Sequence, residues 1–166
     1  MEVDGAAVVL PDDEGKPIVF RNTGARGEIP RFQVDGAPGP VQYWPTGVVF
    51  DGDHDGRLDV FLGEFDASRP SLMLRNVGAS GHWIGVGAPI GAVVSVSALT
   101  PDGTPGPLVG RTTIGASTGF GAGEPPVARF GTGALTRVDV TIRVGQAESR
   151  LPRTPVDREV TVSCAG

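Results

Sequence analysis

Apolar side chains in this chain recur at every second position in short runs, and nowhere keep a helical spacing long enough to make a helix. "RVDVTIRV" (Arg137–Val144) alternates cleanly. Val138, Val140, Ile142 and Val144 face one way; Asp139, Thr141 and Arg143 face the other. "REVTVS" (Arg158–Ser163) repeats the pattern with Val160 and Val162 inward, and "AVVSVSAL" (Ala92–Leu99) runs into "TPDGTPG". A period of two belongs to a strand with one buried face, and Pro-Asp-Gly content marks a turn. The 26 glycines and 15 prolines among 166 residues would also fit a disordered chain, but disorder lacks this periodicity. They read instead as the turns between short strands. The expected fold class is all-β.

Charge narrows the partners. Residues 1–80 carry 13 acidic and 7 basic side chains, residues 81–166 carry 6 and 7, and the formal net charge is −5. An acidic front half favours cations over nucleic acid, and no aromatic-bearing basic stripe of the kind nucleic acid requires is present. Cys164 is the only cysteine, which excludes an intrachain disulfide and a cysteine-rich zinc site. No apolar run approaches the roughly 20 residues that span a bilayer. The start, Met1 to Gly5, has neither a basic n-region nor an apolar h-region. That places the protein in the cytoplasm if the chain is complete, and leaves an extracellular setting open if it is a piece of something longer.

The front half repeats itself. "VVLPDDEGKPIVFRNTG" (Val8–Gly24) lies over "VFLGEFDASRPSLMLRNVG" (Val60–Gly78), each an apolar triplet, an acidic turn, a proline, an apolar strand and Arg-Asn-x-Gly. Arg21-Asn22 and Arg75-Asn76 are 54 residues apart, and "EVDG" (Glu2–Gly5) reads as a worn counterpart of "DHDG" (Asp53–Gly56). A period near 50 suits one propeller blade or a similar sheet unit. The repeat ends at Gly78, and "GASGHW" (Gly78–Trp83) is a joint. The expected division is therefore a repeat region over 1–78, in units of about 1–45 and 46–78, followed by a β domain over 79–166.

"FDGDHDGRLDVFLG" (Phe50–Gly63) concentrates the chemistry, with Asp51, Asp53, Asp55 and Asp59 inside nine residues. Aspartates at positions 1, 3 and 5 with Gly56 at 6 match the opening of an EF-hand loop, where odd positions converge and glycine permits the bend. The bidentate glutamate of position 12 is replaced by Leu62, and the last carboxylate comes at position 9 as Asp59, leading into a strand. Oxygen-only donors, with the Arg57 backbone carbonyl at position 7, favour calcium over zinc or copper. The plain alternative is a solvated acidic turn, which four carboxylates around one glycine disfavour. His54, at an even position, is expected to point outward.

Three further residues compete for a role. "GASTG" (Gly115–Gly119) fits the G-x-S-x-G pattern of hydrolase nucleophiles, but "FGAGEPP" follows it and no helix tolerates that. Ser117 is thus expected in a glycine turn rather than at a reaction centre. His82 and Trp83 at the joint would line a ligand pocket with Ser117, or, as favoured here, Trp83 anchors the first strand of the second domain. Glu64 and Asp66 in "GEFDASRP" either extend the acidic site or decorate a loop, and the loop is favoured.

These motifs resemble known families. "TGVVFDGDHDGRLDVFLG" (Thr46–Gly63) is similar to the FG-GAP/VCBS repeat, whose D-x-D-x-D-G-x-x-D loop binds calcium in integrin-type propellers. "GHWIGV", "IGAVVSVSA", "TTIGASTGFGAGEPPVARFGTG" and "RVDVTIRV" resemble, in order, the ASPIC/UnbV domain. That domain follows such repeats in cartilage acidic protein-like proteins and in a protein of enediyne biosynthetic clusters. Two departures stand out. Arg143-Val144-Gly145 replaces the Trp-Pro-x-Gly that usually follows the Val-Asp strand, and two repeats at most are present where a propeller needs more. The resemblance implies one or two blade-like units packed with a C-terminal β-sandwich-like domain, calcium as the bound ion, and adhesion or scaffold roles. It carries over no catalytic residue.

Two functional readings follow. In the first, calcium fixes the second repeat and the protein is an interaction or structural module. In the second, calcium is structural in an enzyme or small-molecule binder of a natural-product pathway, with the pocket near His82, Trp83 and Ser117. No acid–base pair at a telling spacing names a reaction. Open sheet edges at "PIVFRN" (Pro17–Asn22) and "PSLMLRN" (Pro70–Asn76) are expected to pair with a second copy of the chain or with the rest of a longer propeller.

Overall fold

The computed structural model describes residues 9–11, 17–24, 29–35, 46–64, 66–78, 81–117 and 121–162. These form thirteen strands and no helix, so the chain is all-β. They fall into two compact units. The first runs to Phe50 and resumes over Arg57–Gly78; the second takes Asp51–Gly56 and nearly all of the described chain from residue 81 onward.

The first unit holds two three-stranded antiparallel sheets. One is ordered β1 (Val9–Pro11), β2 (Pro17–Asn22), β3 (Phe32–Asp35), with Val9 opposite Val19 and Phe20 opposite Val34. The other is ordered β4 (Thr46–Phe50), β5 (Asp59–Gly63), β6 (Leu72–Leu74). Each repeat copy is thus an antiparallel pair, β1 with β2 and β5 with β6. The strand Phe32–Asp35 has no counterpart in the sequence reading, and it changes one expectation. β2 is flanked on both sides by β1 and β3, so "PIVFRN" is not an open edge. Glu2–Gly5 lies outside the described residues.

Strand β5 is apolar on both faces. Val60 and Leu62 are buried, while Phe61 between them is exposed and stands in a row with Val48 and Met73 across the sheet. The end of this sheet is pinned by Asn76. Its backbone N–H donates to Asp59 Oδ1 at 2.8 Å, its carbonyl accepts the Arg57 Nε–H at 2.8 Å, and its own side-chain oxygen accepts the Gly78 N–H.

The second unit also has two sheets. One is ordered β10 (Val127–Gly133), β7 (His82–Gly87), β13 (Arg158–Thr161), with β10 antiparallel and β13 parallel to β7. The other is antiparallel, ordered β12 (Ala147–Pro155), β11 (Arg137–Val144), β8 (Val93–Leu99), β9 (Pro105–Thr113). Alternation makes both sheets one-sided, and the inward sets merge into one core. It holds Ile84 and Val86 of β7, Val94 and Val96 of β8, Ala128 of β10, and Val138, Val140 and Ile142 of β11. Ile84, Val86, Val94, Val96, Val138 and Val140 are fully buried. Burying one such side chain contributes about 1.5–3 kcal/mol, so this core is the main source of the unit's stability. On the opposite face of β11, Asp139 is also buried, held by a bidentate pair with Arg150 of β12.

Candidate metal centre

The site is assembled on the face of the β10–β7–β13 sheet that points away from the core. With Ile84 and Val86 turned inward, Trp83 and Gly85 must face outward. Gly85 is in register with Arg129 on β10 and with Glu159 on β13, which gives a row of three across the sheet. A Cβ at Gly85 would lie 3.2 Å from Glu159 Cγ and 3.4 Å from Arg129 Nη1. The missing side chain therefore lets the two charged chains close over the strand, and Arg129 Nη2 reaches Glu159 Oε2 at 3.4 Å.

Residues Asp51–Gly56 belong to this unit. Asp51 is the turn's internal brace. Its Oδ1 accepts the Asp55 N–H and its Oδ2 accepts the Gly56 N–H, both at 3.0 Å, and the residue is only 4 % exposed. That closure requires the chain to curl back sharply, which Gly56 permits at φ 84°, a conformation costly for residues with a Cβ. His54 also takes a left-handed φ, 59°, and is exposed, in keeping with its even position.

The curl brings three carboxylates together. Asp51, Asp53 and Asp55 each offer one oxygen, all within 4.8 Å of one another, and the three grade from buried through half-buried to exposed as Asp51, Asp55, Asp53. Such a group can hold a metal ion. A carboxylate oxygen has two lone-pair directions, so the N–H bonds to Asp51 leave it able to face a cation as well. Of the other residues proposed from the sequence as ligands, Arg57 and Asp59 lie in the first unit, where Asn76 engages both.

Two side chains hold the turn against the sheet. The Trp83 indole lies on Gly56, so close that a Cβ there would stand 2.0 Å from Nε1. Arg129 Nη1 lies 3.7 Å from Asp51 Oδ2, in a side chain 17 % exposed. Neither contact was legible in the sequence, because each joins residues far apart in the chain with no local pattern. The run of Gly85 between two core residues was the one available sign that something covers this face.

The remaining candidates have local structural tasks. His82 Nδ1 lies 2.7 Å from Asp157 Oδ2; Asp157 Oδ1 accepts the Trp83 N–H at 3.3 Å, and the Asp157 N–H donates to the Trp83 carbonyl at 2.6 Å. Asp157, at φ 58°, thereby ties the start of β13 to the start of β7. Ser117 is exposed and its hydroxyl donates to the Ala122 carbonyl; the rest of its glycine turn, 118–120, lies outside the described residues. Glu64 and Asp66 brace their own loop: Glu64 Oε1 accepts the Asp66 N–H, and Asp66 Oδ1 accepts the N–H and hydroxyl of Ser68.

No protein-family model matches the chain, and comparison with curated proteins finds no match. No helix among the described residues is long and apolar enough to cross a membrane.

Proposed function

We propose that the protein is a calcium-binding β protein that works as an interaction or structural module. The observation that carries this reading is the meeting of Asp51, Asp53 and Asp55 oxygens within 4.8 Å on a turn closed by Gly56. Hard oxygen donors of this kind suit calcium, which takes 6–8 oxygens at about 2.3–2.6 Å. The resemblance of this loop to the FG-GAP/VCBS repeat supports the same ion. The module is favoured over an enzyme because what the turn gathers is a set of hard oxygen donors, while the Ser117 hydroxyl donates to the Ala122 carbonyl of its own turn.

The test is a titration of chelator-treated protein. Bound Tb³⁺ should emit when tryptophan is excited, since the Trp83 indole rests on the turn, and Ca²⁺ should quench that emission by displacement. Trp83→Phe assigns the signal to this residue. A dissociation constant of about 10⁻⁴–10⁻³ M for Ca²⁺ is typical of extracellular modules. Calcium at 100 times that constant would stabilise the fold by about 2.7 kcal/mol. No sensitised emission, together with a melting curve that calcium leaves unchanged, reduces the loop to an acidic turn.

A further inference from the structure

We propose that Arg129 is a tethered cation that competes with the metal ion for Asp51, so that the affinity of the loop is set from the neighbouring sheet. This rests on the calcium reading above. The guanidinium sits between two carboxylates, 3.7 Å from Asp51 Oδ2 through Nη1 and 3.4 Å from Glu159 Oε2 through Nη2. Nη1 is buried and makes no hydrogen bond among the described residues, so it faces Asp51 as a charge and not as a bonded donor. Gly85 beneath it leaves room for the side chain to lie across the strand. An ion at the aspartates meets a fixed positive charge from a side chain that the sheet register places there. Repulsion grows with the charge of the ion, and it is not strongly screened where Asp51 is buried. Glu159 is the alternative partner: the more firmly it holds the guanidinium, the less Asp51 is neutralised.

Arg129 is thus a positioning residue whose charge, more than its bulk, determines affinity. The experiment compares Ca²⁺ and Tb³⁺ binding by wild type, Arg129→Gln, Arg129→Lys and Glu159→Gln, read by tryptophan-sensitised Tb³⁺ emission and its displacement. Arg129→Gln should tighten Ca²⁺ binding about tenfold, with a larger gain for Tb³⁺ because repulsion scales with ionic charge. Arg129→Lys keeps the charge and should stay within about threefold of wild type, and Glu159→Gln should weaken binding. If Arg129→Gln folds poorly, Arg129→Met, which keeps the aliphatic stem over the strand and removes the charge, carries the same test with the same expected gain. Wild type that binds while Arg129→Gln binds equally or less well overturns the competition and leaves the calcium reading intact. Absence of binding in every protein overturns the calcium reading itself, and the competition with it.

Discussion

The edge of the Trp83 indole occupies the space where any side chain at Gly56 would begin, 2.0 Å from Nε1 to the position of a Cβ. Two requirements therefore fall on one residue: a φ of 84° and the absence of a Cβ. Gly56→Ala should destabilise the fold by about 1–3 kcal/mol, from backbone strain and overpacking together. It should also weaken cation binding, because the Gly56 N–H that braces Asp51 is displaced. Trp83→Ala makes room for the new methyl, so in a double-mutant cycle the second substitution should recover part of the loss. Denaturant titration of the four proteins measures it. Strict additivity would mean that the indole and the glycine are not in contact.

Within the loop, Asp53→Ala should abolish most of the calcium-dependent stabilisation, because two carboxylates remain of the three that meet. His54→Ala should change the calcium response little. His54 is exposed, and although alanine tolerates φ 59° less well than histidine, that cost falls on the protein with and without calcium alike. Thermal melts with and without calcium separate the two variants. Equal losses would show that the ligands are not the odd positions.

The loop was legible because its donors are neighbours in sequence: Asp51, Asp53 and Asp55 carry their geometry in their spacing. Its setting was not, since Arg129 reaches Asp51, and Glu159 reaches Arg129, only through the pairing of β7 with β10 and, in parallel, with β13. Strand periodicity reports which face a residue takes, and it placed Val138 and Val140 on the core side of β11 correctly. It does not report what covers the other face, so it gave no sign that Arg150 would bury Asp139 there. The strand Phe32–Asp35 was missed for a different reason: Phe32 and Val34 alternate with Gln33 and Asp35, but a run of four residues is too short for its period to stand out.

The turn between β8 and β9 should loosen in acid. The Thr100 hydroxyl, then the Thr104 hydroxyl and the Thr104 N–H, donate to Asp102 and hold its carboxyl below the ordinary value of 3.8. A carboxyl depressed on folding contributes stability that is present above its unfolded pKa and is lost as pH falls through the folded one. The window therefore lies below about pH 4, and above it the turn should be indifferent to pH. Amide exchange at Gly103 and Thr104, corrected for its intrinsic pH dependence, follows the change. Asp102→Asn keeps an acceptor without the charge and should remove the pH dependence. Persistence of the effect in that variant would assign it to another group.

Asp139 and Arg150 should prove unequal partners. The pair is bidentate, Nε to Oδ1 and Nη2 to Oδ2, both at 2.8 Å, yet the Asp139 side chain is 1 % exposed and that of Arg150 44 %. Removing the acid leaves a guanidinium that can turn into water, and the cost should be near the 1.5–3 kcal/mol of hydrogen bonds to a charged group, taken at about its lower end. Removing the arginine strands a carboxylate between strands, where an unpaired buried charge costs about 3–5 kcal/mol. Arg150→Ala should therefore destabilise more than Asp139→Ala, and the double variant should be more stable than Arg150→Ala alone. Equilibrium unfolding in urea ranks the three. Equal losses from the two single variants would mean that Asp139 finds water or another donor once Arg150 is gone, and that its burial depends on the arginine's presence.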